Sequence, residues 1–429
     1  MEQYDNYKDT GIEWLNHIPD HWDKIRLRYL CDITTGNKDT VNKEDDGKYP
    51  FFVRSKTIER ISSYSYDGEA ILTAGDGDIC KIWHHVNEKF DFHQRVYMLH
   101  NFKRVYGRFL FYYISENFYY DVFKLSAKNT VDSLRLPMFH NFPVLVPPME
   151  EQIIIANYLD NQTLIIEKII KEKENLIALL KEKRQSIINE SVTKGLNPNV
   201  KMKDSVVKGL GEIPANWNIV KLRYLGQCQN GVSQSGDYFG SGDPFVNYSD
   251  VYKNDALPIK VTGMARSSAA DKENYSVQEG DVFFTRTSET IEEIGLSSTC
   301  LTTIENAVFA GFLIRFRPFK NLLFKGYSRY FFRSLIPRVH FVREMNLVTR
   351  ASLSQELLKS LPVCLPNLQE QKEIAFFLDS KISQIDETIR KIKTSSEKLI
   401  EYRKAIISEA VTGKVDVRNW QPINNQQIA

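Results

Sequence analysis

Residues 143–160 read PVLVPPMEEQIIIANYLD, and residues 362–379 read PVCLPNLQEQKEIAFFLD. The second stretch is the first moved along by 219 positions (143 to 362), with Pro, Val, Pro, Glu, Gln, Ile, Ala, Leu and Asp kept in place. Working outward, a second duplication precedes each copy: IPDHWDKIRLRYL from Ile18 to Leu30 faces IPANWNIVKLRYL from Ile213 to Leu225, offset by 195 (18 to 213). Each half therefore runs in one order: lead-in, variable block, Pro-rich turn, long helix. Repetition on this scale fixes architecture before chemistry.

Downstream of the turns, residues from about Glu150 to Thr193 and from about Gln369 to Thr412 contain neither Pro nor Gly. Leu378, Ile382, Ile385, Ile389, Ile392, Ser396, Leu399, Arg403 and Ile406 follow alternating steps of four and three, the heptad pattern of a coiled-coil seam. Leu159, Thr163, Ile166, Ile170, Lys173, Ile177, Leu180, Arg184 and Ile187 occupy the corresponding places in the first half. Helices of about 40 residues span about 60 Å, more than the block either would have to cover. Two such seams most economically bury each other, as an antiparallel coiled coil related by a pseudo-twofold axis, with the blocks at opposite ends of a ruler. The alternative is that each helix packs on its own block. Lys173, Arg184, Ser396 and Arg403 interrupt the seams; they either fix register or snorkel out.

The expected divisions are a lead-in at 1–30, a first variable domain at 31–142, a central repeat with its helix at 143–195, a polar linker and second lead-in at 196–225, a second variable domain at 226–361, and a C-terminal repeat with its helix at 362–429. Both variable blocks mix short β-type runs with a late aromatic helix. GEAILTA from Gly68 matches GDVFFTR from Gly280, so both are expected to share one α/β (α+β) fold with diverged loops.

Charge inside the blocks is uneven. From Asn306 to Arg343 there is no Asp or Glu, yet Arg315, Arg317, Lys320, Lys325, Arg329, Arg333, Arg338 and Arg343 occur there; Phe92 to Ser115 is likewise acid-free and carries His93, Arg95, His100, Lys103, Arg104 and Arg108. Such stretches are read as phosphate-contacting surfaces; the alternative, an aromatic helix face with solvated arginines outside, explains the aromatics better and the missing acids worse. Base reading calls for paired donors and acceptors. The candidates in the first block are Arg54, Lys56, Lys81, Gln94, Arg95, Lys128, Asn129 and Arg135; in the second they are Gln234, Asn247, Arg266, Arg286, Arg315, Arg350 and Ser352.

Bulk properties narrow the class. A chain of 429 residues, 42% hydrophobic and 12% aromatic, reads as about two to four soluble domains. No apolar run of about 18 residues and no signal-peptide pattern occurs, which points to the cytoplasm. The 5 cysteines (Cys31, Cys80, Cys228, Cys300, Cys364) are scattered and read as buried thiols. Net charge is only +2, so DNA affinity would have to come from local charge. No phosphate-cradling G-x-x-x-x-G-K-[ST] and no Asn/Asp-Pro-Pro-Tyr/Phe element of an amino-methyltransferase appears, and His84, His85 and His93 lack further ligands at metal spacing. No catalytic or metal residue is assigned.

Two variable blocks, each closed by P-x-x-x-P and E-Q-x-x-I-A-x-x-L-D, resemble the specificity (S) subunit of Type I restriction-modification systems. Pro143, Pro147, Glu151, Gln152, Ile155, Ala156, Leu159 and Asp160 carry the likeness, matched by Pro362, Pro366, Glu370, Gln371, Ile374, Ala375, Leu378 and Asp379. The I-P-x-x-W and L-R-Y-L motifs at Ile18, Pro19, Trp22, Leu27–Leu30 and at Ile213, Pro214, Trp217, Leu222–Leu225 are also typical of it. The resemblance implies two target-recognition domains, each reading half of a bipartite, asymmetric DNA site, and helices that set the unread gap. It also implies docking of two modification (methyltransferase) subunits and of restriction subunits. S-adenosylmethionine, ATP and Mg2+ would then belong to those partners and not to this chain. A self-contained DNA-modifying enzyme and a non-DNA coiled-coil scaffold are the competing readings.

Overall fold

The computed structural model describes residues 2–12, 14–124, 133–234, 236–288, 294–344 and 351–422. The chain divides into two units, Met1–Glu174 with Lys393–Ala429, and Asn175–Ile392. Each unit holds one lead-in, one variable block and opposite ends of the two long helices.

In the first unit the hairpin β1 (Tyr7–Ile12) and β2 (Leu15–Pro19) is followed by β3 (Asp23–Arg26) and a 3-10 turn at Leu27–Tyr29. The block itself is one sheet of β4 (Asp32–Thr35), β5 (Tyr49–Phe52), β6 (Glu59–Ile61), β7 (Tyr66–Ala74), β8 (Trp83–Phe92) and β9 (Val96–His100), in the order β4-β9-β7-β8-β5-β6. All pairs are antiparallel except β5 with β8. The aromatic helix α1 (Gly107–Lys124) covers the sheet, and α2 (Leu136–Asn141) leads into β10 (Pro143–Val146), which pairs back to β3. This pairing closes the block at its root before the first long helix, α3 (Met149–Lys194), begins.

The second unit repeats the scheme: β11 (Met202–Asp204), β12 (Glu212–Pro214), β13 (Asn218–Lys221), a 3-10 turn at Leu222–Tyr224 and β14 (Gly226–Asn230). Next along the chain come β15 (Phe239–Val246), α4 (Tyr248–Lys253), β16 (Gly263–Ala265), α5 (Ala269–Asn274), β17 (Val282–Thr285), β18 (Thr287–Ser288), β19 (Ser297–Thr299), β20 (Val308–Phe309) and β21 (Leu313–Pro318). The order β14-β21-β17-β19 reproduces β4-β9-β7-β8. Where β8 pairs with both β7 and β5, the second block splits that strand into β19, paired with β17, and β20, paired in parallel with β15. Helices α6 (Lys325–Phe331) and α7 (Leu335–Glu344), then β22 (Ala351–Ser352), α8 (Gln355–Ser360) and β23 (Pro362–Leu365), lead to the second long helix, α9 (Leu368–Val411). β23 pairs with β13 as β10 does with β3.

The duplicated motif explains how each block sits on its helix. Gln152 is fully buried; its Oε1 accepts from the Tyr106 N–H at 2.7 Å, and its Nε2 donates to the carbonyls of Pro147 at 2.8 Å and Arg104 at 3.2 Å. Gln371 makes the same three bonds, with Phe324 N–H (2.8 Å), Pro366 O (3.0 Å) and Leu322 O (3.1 Å). One buried amide thus stitches the strand-to-helix loop to the Pro turn, using its oxygen and its NH2 group together. At the end of the motif, Asp160 receives Arg108 (2.6 Å) and the Tyr112 hydroxyl (2.6 Å); Asp379 receives Arg329 (3.3 Å) and the Tyr330 hydroxyl (2.7 Å).

Within the first unit Leu159 and Ile166 of α3 share a core with Ile406, Ile407, Ala410 and Val411 of α9, and Arg403 reaches Glu167 at 3.1 Å. Within the second, Ile188 and Val192 share a core with Ile374, Leu378 and Ile382, and Arg184 reaches Asp386 at 3.1 Å. Start meets end in both, so the helices are antiparallel, and the two ion pairs are one pair repeated at the 219 offset. Between Lys171 and Lys183 only Lys173, Ile177 and Leu180 escape full exposure, the seam positions read from the heptad. Arg184 and Arg403 are ion-paired at the seam edge rather than buried in it.

Each helix ends on a left-handed glycine, Gly195 (φ +72) and Gly413 (φ +70), a conformation that costs glycine little. A Cβ at Gly195 would meet Trp217 at 3.2 Å, and one at Gly413 would meet Pro19 at 2.4 Å. Each lead-in tryptophan, Trp22 and Trp217, is fully buried in the core of its unit. The stretch expected to be a polar linker is in part structured. β11 and β12 form a hairpin that repeats β1–β2, and its Asp204 carboxylate accepts the Val206 N–H at 2.8 Å as Asp9 does that of Gly11. Lys-Asp at Lys8 and Lys203 already stands at the 195 offset, so the duplication begins ten residues earlier than Ile18. All five cysteines are free thiols, four of them buried. Among the described residues no helix is long and apolar enough to cross a membrane.

Candidate nucleic-acid interface

Strand register decides which loops meet. Ala74 pairs with Val96, so Gly75–Asp76 and Gln94–Arg95 leave the sheet side by side, tied by the Gly75 N–H to the Arg95 carbonyl at 2.8 Å. Arg54, two residues beyond β5, donates to Asp76 at 2.9 Å, and Arg95 donates to the other oxygen at 2.6 Å. The Asp76 side chain is 16% exposed while those of Arg54 and Arg95 are 42% and 63% exposed. A shielded carboxylate thus holds two guanidinium groups that still present free N–H edges outward. Burial opposes its charge, but the hydrogen bonds from Arg95 and Arg54 outweigh burial and hold the carboxyl below its usual range.

Beneath this clamp lies His93, 2% exposed, whose Nδ1 accepts the Arg95 N–H at 2.9 Å. Burial, and then the Arg54 charge, push its pKa down, which keeps the ring a neutral acceptor. Gln94 donates to Asp39 at 2.8 Å. The Leu134 N–H bonds to the Gly75 carbonyl at 2.7 Å, bringing exposed Arg135 to the same edge. Lys56 is exposed nearby, and Lys81 pairs with Asp78 at 3.2 Å. Lys128 and Asn129 lie outside the described residues.

The second block builds an equivalent edge from different side chains. Exposed Arg286 follows β17; its N–H bonds to the Phe312 carbonyl (3.0 Å) and its carbonyl accepts from Leu353 (2.7 Å), as Gly75 accepts from Leu134. Thr287 pairs with exposed Ser352, and Val232 bridges to Ala310 two residues before exposed Gln234. Gly231 permits that approach, since a Cβ there would stand 2.3 Å from the Phe309 and Ala310 carbonyl oxygens; Gly36, at the 195 offset, does the same against Phe92. Asn247 sits beside this edge, but its side-chain oxygen is taken up capping α4, accepting from Ser249 (2.9 Å) and Asp250 (3.2 Å). Arg266 is exposed at the other end of β15 and donates to Ser241 at 3.0 Å. Arg350 lies outside the described residues.

Arg315 is a correction. It is 6% exposed, donates to the Ser276 carbonyl at 2.6 Å and to Gln229, and stacks over Phe309. Burial, with Arg317 alongside, pushes its pKa down to about 10. The acid-free stretches are corrected with it. Arg317 grips Asp281 with two bonds of 2.7 Å, Lys325 pairs with Glu279, Arg329 with Asp255, and Arg333 donates to the carbonyls of Val251 and Asn254. In the first block Lys103, Arg104 and Arg108 pair with Asp32, Asp23 and Asp160. The missing acids come from distant segments, so these cations are bonded within the chain instead of forming free phosphate-facing surfaces, while Arg95 of the first stretch is held on Asp76 at the edge. Sequence reading missed Asp76 because it sought side chains that could face a base, and no carboxylate was among them; no local signal in GDGD marks it.

The family model described as the Type I restriction modification DNA specificity domain matches residues 19–179 and again 214–398. The chain belongs to that family. Among its relatives, the Type I restriction enzyme EcoDI specificity subunit of Escherichia coli is 22% identical over 433 residues, covering 96% of this chain and 92% of that protein. The MjaVIII specificity subunit of Methanocaldococcus jannaschii is 22% identical over 455 residues, 96% and 98% covered. Two solved structures share the fold. A chain from a type I R-M system, described for its complex assembly and conformational transition, gives a TM-score of 0.71 at 15% identity, covering 93% of this chain and 99% of that one. The HsdS subunit from Thermoanaerobacter tengcongensis gives 0.53 at 16%, covering 95% and 100%. The specificity subunit recognises DNA sequence for a restriction-modification complex and is not its catalytic member, which sets aside the enzyme and scaffold readings.

Proposed function

We propose that this specificity subunit reads a bipartite, asymmetric DNA site, one half through each variable block, at the edges carrying Arg54, Arg95 and Arg135 and carrying Gln234, Arg286 and Ser352. The reading rests on one observation: equivalent loops converge at the same end of both sheets, yet present different side chains. Guanidinium edges suit guanine, and the second edge's amide and hydroxyl groups suit mixed readout. The paired helices set the number of unread base pairs. Two modification subunits dock on the repeated parts, and restriction subunits join them. S-adenosylmethionine, ATP and Mg2+ bind those partners, which act on cytoplasmic DNA.

The test is to map methylated bases in cells carrying the full system, with residues 31–142 exchanged for another family member's block. One half-site should change and the other persist. Unchanged sites, or a change in both halves, refute the division of labour. Within the first block, Arg54→Ala or Arg95→Ala should lose about 1–3 kcal/mol of discrimination at one base position.

A further inference from the structure

The two lead-ins share seven residues at the 195 offset: Ile, Pro, Trp, Leu, Arg, Tyr and Leu. Packing accounts for five of them. Ile18, Trp22, Leu27 and Leu30, like Ile213, Trp217, Leu222 and Leu225, are at most 2% exposed, and both prolines are buried. In the Pro-rich motifs every shared residue is likewise buried or bonded, down to Asp160 and Asp379. Arg28-Tyr29 and Arg223-Tyr224 differ in that all four side chains are exposed. Both arginines are exposed, and Tyr29 and Tyr224 are each 65% exposed on the two 3-10 turns. In the first half the Arg28 guanidinium lies 5.7 Å from the Tyr29 ring centroid, and Arg28 donates to the His140 carbonyl at 3.2 Å and to Asn141. Arg28 is thus tied to α2, while the Tyr29 ring beside it stays in water, where it adds little to the core.

Position separates these turns from the reading edges. The first turn meets β4 at Asp32, which pairs with His100, whereas the edge lies beyond Thr35, which pairs with Tyr97. The second meets β14 at Gly226, which pairs with Pro318, whereas its edge lies beyond Asn230, which pairs with Ile314. Four or five strand residues, about 13–17 Å, stand between turn and edge in each block.

We propose that Arg28-Tyr29 and Arg223-Tyr224 form two copies of one protein-docking knob, each engaged by one of two identical modification subunits. This rests on the assembly described under Proposed function. The blocks between the repeats have diverged, so an identical partner used twice is best gripped by what is identical twice, and Tyr and Arg are both among the residue types enriched at binding hot spots. The partner surface would offer an apolar shelf for the ring and a carboxylate for the guanidinium.

The experiment mixes the purified chain with the modification subunit of its own system and counts subunits bound by native mass spectrometry, with affinities by calorimetry. Tyr29→Ala should weaken one site about 30-fold or more, Tyr224→Ala the other, and the double variant both. Tyr→Phe at both positions should keep binding close to wild type, and unchanged circular-dichroism melting should show that the exposed substitutions leave the fold intact. Full binding of two subunits by the double alanine variant overturns the proposal, as does loss of DNA affinity with subunit binding unchanged, which would make the knob a backbone contact. A wild-type chain that binds no modification subunit overturns the assembly reading itself.

Discussion

Gln152 shows what a single motif residue does. Its amide, itself fully buried, serves the Tyr106 N–H and two carbonyls at once. Gln152→Leu keeps the volume but strands those groups, and should cost about 2–4 kcal/mol in chemical denaturation of the full chain. Gln152→Glu should do no better, because a carboxylate would face the Pro147 and Arg104 carbonyls. His93 carries a pH prediction. Its folded pKa lies below the unfolded value of about 6.5, so its contribution is present above that value and is lost as pH falls through the folded pKa. Stability should therefore fall on acidification from pH 7 towards 5. His84 and His340, also lowered by burial, act with the same sign, so a His93→Asn variant should lose part of the slope and not all of it. At this scale the sequence was legible where spacing repeats, as at Gln152 and Asp160. It was illegible where a partner arrives from elsewhere: Arg315 and Arg95 look alike in sequence, and only the sheet register buries one against Phe309 and leaves the other on Asp76.

The long helices were the most legible elements, because a heptad is a local statement about one face and both seams are long. Their polar interruptions left two outcomes open, and the structure adds a third, pairing at the seam edge. Arg403 meets one exposed carboxylate, Glu167 (60% exposed), whereas Arg184 meets Asp386 and also Asp255, which is only 24% exposed. Arg403→Ala should thus cost about 0.5 kcal/mol or less and Arg184→Ala about 1–2 kcal/mol in thermal melting, with the first cost vanishing in 1 M salt. Equal costs would mean that Asp255 adds nothing. The β11–β12 hairpin was missed for the opposite reason. Its strands are three residues each, too short for a period to show, and only alignment with Lys8-Asp9 reveals it.

For the whole molecule, duplication with divergence separates what must be kept from what is free to vary. The stitching glutamine, the Arg–Tyr–Asp latch, the buried tryptophan and the helix-ending glycine are kept in both halves, while the reading edges are not. If the helices alone set the gap between half-sites, one heptad added to both at equivalent seam positions lengthens them by about 10 Å, close to three base pairs, and turns the downstream part of each helix by only about 20°. Genome-wide mapping of methylated bases should then show both half-sites unchanged and the unread gap longer by about three. Two residues added to both helices turn the stripe by about 200°. Leu159 and Leu378 would then face away from their partners, and the variant should neither melt cooperatively nor support methylation. A heptad variant that keeps the original gap would show that the spacing is held by something other than these two seams.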